Sequence, residues 1–175
     1  MVTFLIAEVG SNHGNQLYRA KDLIYQAKEA GADAVKFQLY RADSLAKKRN
    51  AQDYWHTYKA TELPDNWLPE LREACYELGV VFLCTAYDNW GVNAVAPYVP
   101  MFKVASFEAN DHPLLAYISH YNRPVILSTG MCTSDEGRQS IRVLGANNVR
   151  YLLHCVSSYH AQESQVNLNV LASLT

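Results

Sequence analysis

A chain of 175 residues with 49% apolar and 18% charged residues is of single-domain size and holds enough apolar material for a sizeable core, which excludes a disordered chain. Its 15 Lys and Arg against 17 Asp and Glu leave a formal net charge of -2 with the signs intermixed, so no field points to a nucleic-acid or membrane-surface partner. No apolar run reaches the ~18 residues that a membrane span requires, Met1 leads directly into a strand pattern rather than a secretory signal, and the cytoplasm is the expected home.

The elements follow one grammar: a short β-rich run, a few polar residues, a helical stretch. The first run, FLIAE (4–8), reads as a strand buried on both faces that ends on a carboxylate, Glu8, ahead of a turn carrying Asn12 and His13. Leu17, Ile24 and Ala27 then share a helical face, and Gly31 ends that helix before the second run, AVKFQL (34–39). Residues 40–65 break the alternation. They read as a polar and aromatic loop (Asp53, Tyr54, Trp55, His56, Tyr58), too long for an ordinary connection and so expected to be functional or a lid. Its basic cluster, Lys47, Lys48 and Arg49, reads as a solvated loop face.

Trp67, Leu71, Ala74 and Leu78 form the next helical face, closed by Gly79 and followed by VVFLCT (80–85) and MFKVAS (101–106). Leu114, Leu115 and Ile118 mark a shorter helix before PVILST (124–129). Thr133 and Glu136 fit a capping box that opens the helix before VRYLLHC (149–155). The chain reaches Leu174 and Thr175 partway through a sixth crossover. Cys75, Cys84, Cys132 and Cys155 form no CxxC pair, which argues against a disulfide framework and a structural zinc site, and they read as reduced, mostly buried thiols.

Alternating β and α elements with strands apolar on both faces predict a parallel sheet covered by helices, either open and doubly wound or closed into a barrel. Composition does not separate the two, but the placement of polar residues favours a barrel. Glu8, Gln38, Thr85 with Asp88, Ser106, Ser128 with Thr129, and Ser157 with Tyr159 all fall at or just past strand C-termini, with Lys36 and Lys103 close to them. Six polar strand ends on one rim suit a β/α-barrel active face, whereas an open sheet concentrates function at one switch point. Gly10 and Gly14 lack the GxGxxG spacing of a dinucleotide site.

Lys36 and Gln38, two apart on one strand, point to the same face. Lys103 with Ser106 adds a second cation and a hydroxyl, and Ser128 with Thr129 adds two more before Gly130. Two lysines among hydroxyls suit a phosphorylated carboxylate. Any one of these residues alone reads more readily as structural, a strand lysine reaching solvent or a serine capping a helix. Their conjunction reverses that reading.

The motifs AEVGSNHG, GADAVKFQ, FKVAS, PVILSTGM and LLHCVSSY followed by VNL closely resemble the sialic acid synthase family, which includes spore-coat polysaccharide synthases. The resemblance runs over essentially the whole chain. It implies a TIM-type (β/α) barrel with about six of eight βα units present, so that residues 1–175 form the N-terminal portion of a phosphoenolpyruvate-dependent synthase. The implied reaction condenses phosphoenolpyruvate with an open-chain N-acetylated amino sugar, such as N-acetylmannosamine, to a nonulosonic acid plus phosphate. Residue by residue, the resemblance casts Glu8 as the catalytic acid at the sugar aldehyde, and Lys36, Lys103, Ser106 and Ser128 as phosphoenolpyruvate ligands with Gln38 and Thr85 nearby. Ser157 and Tyr159 become the sugar-binding pair.

This sequence departs from the family at Ser157, where some members carry Asn, at Cys84–Asp88, where the family often reads STPFD, and at His160, where a proline usually follows the tyrosine. A divalent metal, manganese or magnesium, is implied for the full-length enzyme. Its histidines belong to Ser-Asp-His and Arg-His-Phe motifs that do not occur here, so no metal ligand is expected in this chain and His154 reads as a core histidine or one behind the site. The last barrel strands and an antifreeze-like domain, which in the family reaches into a partner's site, are expected outside residues 1–175, and the resemblance implies a homodimer for the full-length enzyme. A non-catalytic barrel fragment that binds phosphorylated ligands or a partner chain is the alternative. A Schiff-base aldolase fits less well, since it leaves two lysines among hydroxyls and the HCVSSY stretch unexplained.

Overall fold

Three of the apolar runs become parallel strands in the first of two compact units, Met1–Pro100, and three more in the second, Met101–Thr175. The structure, a computed structural model, describes residues 3–173; Met1, Leu174 and Thr175, named above at the two ends of the chain, lie outside the described residues.

In the first unit β1 (Ile6–Gly10), β2 (Ala34–Leu39) and β3 (Val81–Ala86) lie in that order, and the register sets Glu8 against Lys36 and Gln38 against Thr85. One face of β2 is apolar, with Val35, Phe37 and Leu39 fully buried, and the other carries Lys36 and Gln38 beyond a buried Ala34. Helix α1 (Leu17–Glu29) buries Ala20 and Ile24. Both Gly31 and Gly79 adopt positive φ, +87° and +65°, where a side chain is strained, so the helix stops fall where the glycines predict them.

Two expectations fail in this unit. The first strand begins at Ile6 rather than Phe4, and Phe4 and Leu5 are exposed rather than buried on both faces. The reason lies in the backbone: Leu5 N–H donates to Asp33 Oδ2 at 2.7 Å and its carbonyl accepts from Asp33 and Ala34, which ties it to the turn before β2. Residues 40–65 are also not a loop. They form α2 (Ala42–Lys48), a 3-10 turn (Gln52–Tyr54) and α3 (Trp55–Ala60) ahead of α4 (Leu68–Glu77), and α5 (Asn89–Val95) follows β3. Ala42, Leu45 and Ala46 are buried, and Trp55 Nε1 donates to Asp43 Oδ1 at 2.7 Å, so short helices tile the segment. The basic cluster is therefore not a solvated loop. Lys47 is exposed, but Lys48 Nζ donates to the Tyr87 carbonyl at 2.8 Å and the Arg49 guanidinium lies 5.2 Å from the Tyr87 ring centroid.

The second unit orders β4 (Phe102–Val104), β5 (Val125–Ser128) and β6 (Val149–Leu153), again parallel, with Lys103 level with Ile126 and Ser128 with Leu153. β4 is shorter than its sequence pattern because the chain turns into a 3-10 helix at Ser106–Glu108. Helices α6 (His112–Ser119) and α7 (Ser134–Leu144) pack on each other. The expected capping box opens α7: Glu136 Oε2 accepts from Thr133 N–H at 2.7 Å, and Thr133 Oγ1 accepts from Glu136 N–H. The bonds that its carboxylate accepts from Thr133 N–H and then from Thr133 Oγ1 hold the Glu136 carboxyl below its ordinary range.

All four cysteines are free, but only Cys75 and Cys84 are buried; Cys132 and Cys155 are half-buried. Burial pushes the Cys75 thiol up to about 12 and the Cys84 thiol up as well, so neither is a thiolate at neutral pH.

Candidate active site

In the first unit one cluster grows from the pairing of β1 with β2. Side chains alternate along β2, and the half-buried positions are Lys36 and Gln38. Glu8 faces both. It forms an ion pair with Lys36, and its Oε1 accepts from Gln38 Nε2 at 2.9 Å. Lys36 Nζ also donates to Thr85 Oγ1 on β3, at 3.4 Å. The Lys36 side chain is 13% exposed and that of Glu8 is 44% exposed. Glu8 is open to water while Lys36 is largely buried, so the pair holds the ammonium in place and leaves the carboxylate accessible.

Gly10 closes over this cluster. Its φ of +55° turns the chain sharply, and a Cβ there would lie 3.3 Å from both Gln38 Nε2 and Glu8 Oε1. Beyond it His13 is fully buried, its ring centroid 6.3 Å from that of Phe37 and 6.0 Å from that of Trp67. Asn15 N–H donates to His13 Nδ1 at 3.1 Å, which places the ring proton on Nε2. Burial first, and the charge of Arg19 second, hold the imidazole pKa below 6.5. His13 thus anchors the turn as a neutral ring. Tyr40 adds a second anchor, with its hydroxyl 3.3 Å from Ser11 Oγ and 2.8 Å from Thr61 Oγ1.

The second unit carries its own cluster at the ends of β4 and β5. Lys103, 8% exposed, donates from Nζ to Ser128 Oγ at 2.6 Å and to the Val104 carbonyl at 2.7 Å. A buried ammonium needs such partners to offset its lost hydration. Ser106 Oγ accepts from Gly130 N–H at 3.1 Å. Ser106 and Ser128 thus each accept one bond from the protein and keep an O–H to donate, the state an anionic ligand requires.

Of the residues singled out in the sequence, Glu8, Lys36, Gln38 and Thr85 are brought together in the first unit, and Lys103 with Ser128 in the second. Ser106 joins the latter group through Gly130, and Ser157 Oγ lies against the same glycine. Tyr159, in the same post-β6 segment, stands fully exposed and is not brought to the cluster. Asp88 is a helix cap, accepting from Gly91 N–H at 2.8 Å, and Thr129 Oγ1 donates to the Leu153 carbonyl at 3.0 Å. His154 is half-buried, with Nε2 2.7 Å from the Val166 carbonyl. Sequence reasoning missed Glu108, a carboxylate fully buried in the turn after β4, whose only signal was an acid two residues beyond Ser106. It also missed the contacts made by Gly130. No group of three His, Cys, Asp or Glu side chains suited to a metal ion occurs among the described residues, and no helix among them is long and apolar enough to cross a membrane.

The profile of the NeuB family matches residues 23–175. The chain belongs to the NeuB family. Relatives agree with that membership: the spore coat polysaccharide biosynthesis protein SpsE of Bacillus subtilis is 39% identical over 98% of this chain and 49% of its own length. The N,N'-diacetyllegionaminic acid synthase of Legionella pneumophila is 36% identical over 99% of this chain and 54% of its own. Among solved structures, the N-acetylneuraminic acid synthetase of Leptospira borgpetersenii, in complex with citrate, superposes with a TM-score of 0.92 at 29% identity, covering 99% of this chain and 61% of that one. The chain therefore carries a NeuB-family α/β fold, and it spans about half the length of the curated relatives it matches.

Proposed function

We propose that this chain supplies the phosphoenolpyruvate-binding part of a nonulosonic acid synthase, which joins phosphoenolpyruvate to an N-acetylated amino sugar such as N-acetylmannosamine and releases phosphate. The observation that carries this reading is the Lys103–Ser128 pair: a nearly buried ammonium bonded to a strand-end hydroxyl that still has its own proton to donate. That pairing suits an oxyanion of phosphate or carboxylate. Membership of the NeuB family, with synthases among its relatives, supports the same reading.

In the proposed reaction the enol carbon attacks the sugar aldehyde carbon, a C–C bond forms, and the aldehyde oxygen takes a proton. Positive charge develops on the phosphate-bearing carbon, water adds there, and phosphate leaves with cleavage of its C–O bond to give the 2-keto acid. In the second unit Lys103, Ser106 and Ser128 hold the anionic groups of phosphoenolpyruvate, and in the first unit Glu8, oriented by Lys36 and Gln38, holds the aldehyde end and moves the proton. Ser157 and Tyr159 bind the sugar. A divalent metal, manganese or magnesium, belongs to the reading for the longer enzyme. A closed eight-unit barrel, a homodimer and a cytoplasmic setting belong to the same proposal.

A second reading rests on the coverage of about half of each relative: a non-catalytic segment that binds phosphorylated ligands or a partner chain. The test is to express the open reading frame containing this chain and follow phosphate release from phosphoenolpyruvate with N-acetylmannosamine or a diacetamido sugar and manganese. Sugar-dependent release with formation of a 2-keto acid is expected. Phosphoenolpyruvate binding without turnover supports the second reading, and absence of binding overturns both.

A further inference from the structure

Gly130 has a backbone that an alanine tolerates, yet it has no room for one. A Cβ built there would lie 2.9 Å from the Cys155 carbonyl oxygen, 2.9 Å from Ser157 Oγ and 3.0 Å from Cys155 Cβ. The Ser157 hydroxyl is able to rotate away, but the Cys155 atoms are at or next to backbone and do not yield by rotation. We propose that Gly130 is a positioning residue for the acceptor sugar: its missing side chain seats the start of the segment after β6, and with it Ser157, against the end of β5. This rests on the reading of Ser157 and Tyr159 as the sugar-binding pair.

The bonding on either side of the contact says which partner gives way. The turn that carries Gly130 is held at four points: Thr129 N–H and Oγ1 both donate to the Leu153 carbonyl, Cys132 N–H donates to the Thr129 carbonyl, and Gly130 N–H donates to Ser106 Oγ. Residues 157–160 are exposed, and Ser158 Oγ bonds locally to the His160 carbonyl. A methyl group at residue 130 therefore lifts the segment after β6 and leaves the turn, with Lys103, Ser106 and Ser128, in place. Discrimination between acceptor sugars becomes a matter of how far this segment sits from β5.

The test is Gly130→Ala in the protein expressed from the complete reading frame, beside wild type and Met131→Ala, a change of the exposed neighbour on the same turn. Gly130→Ala is expected to raise KM for the sugar about tenfold while KM for phosphoenolpyruvate and its calorimetric affinity stay within about twofold. Met131→Ala leaves both constants unchanged. Hydrogen exchange supplies a readout independent of turnover: faster exchange at residues 155–161, unchanged exchange at 102–108. An equal loss for both substrates, or no change in either, overturns the positioning role, as does a variant without a cooperative melt, which would place Gly130 in the scaffold. A wild type inactive with every acceptor tried overturns instead the functional reading on which the inference stands.

Discussion

Glu8 shows how a single carboxylate is prepared by its neighbours. Lys36 and Gln38 reach it from the adjacent strand, and Gly10 turns the chain over it. Because Glu8 is open to water and glutamine keeps its shape, Glu8→Gln is expected to fold with a cooperative melt. Turnover should fall roughly a hundredfold, as for loss of a positioned acid–base group. Activity that survives intact would reduce Glu8 to a structural residue. Lys103 is the opposite case, nearly buried and bonded to Ser128, so Lys103→Met is expected to raise KM for phosphoenolpyruvate by about tenfold or more while sugar usage changes far less. Steady-state kinetics with each substrate varied in turn decides that case.

His13 gives a pH prediction from the same scale. Its pKa in the folded chain is held below 6.5 by burial and by Arg19, so the unfolded chain binds its proton more readily. The stability it contributes is complete above the unfolded value and is lost as pH falls through the folded one. Wild type should therefore lose melting temperature on acidification below about 6.5, and His13→Leu should show a shallower slope over that window. Parallel slopes for the two proteins would remove His13 from the acid response.

At the scale of elements, the box at the start of α7 is a local device with a local cost. Thr133→Ala removes the side-chain acceptor for Glu136 N–H, and is expected to cost about 1 kcal/mol, or ~3 °C in melting temperature. This box was legible in the sequence because both its partners lie within four residues. Strand β2 was legible for a related reason: AVKFQL sets Val35, Phe37 and Leu39 on one face and Lys36 with Gln38 on the other, and Gly31 announces the helix end before it. The segment from 40 to 65 was not legible. Its helices are seven residues or shorter, too brief for a 3.6-residue period to show, and their burial depends on contacts from elsewhere in the chain. At the site, the lysines and hydroxyls were visible as residue types at strand ends. Which hydroxyl serves which lysine was not, since Lys36–Thr85 and Lys103–Ser128 are 49 and 25 residues apart and only register joins them. Gly130 was hidden for the same reason, because the atoms that crowd it come from the segment after β6.

At the scale of the molecule, six strands in two parallel sets accompany relatives about twice as long. Residues 1–175 expressed alone are expected to show no condensation with phosphoenolpyruvate, N-acetylmannosamine and manganese, and to self-associate through apolar surface that the longer family fold covers. Light scattering and a product assay check both; a monodisperse monomer with full turnover would refute the strand count. Within each set, the lysine and its hydroxyl sit on neighbouring strands, so each pair exists only when those strands are aligned correctly. A slip of one residue sends the lysine to the opposite face of its sheet. On the functional reading, an anion that binds these pairs is therefore a proofreader of alignment: a phosphate-bearing resin would retain correctly paired molecules and let misaligned ones pass.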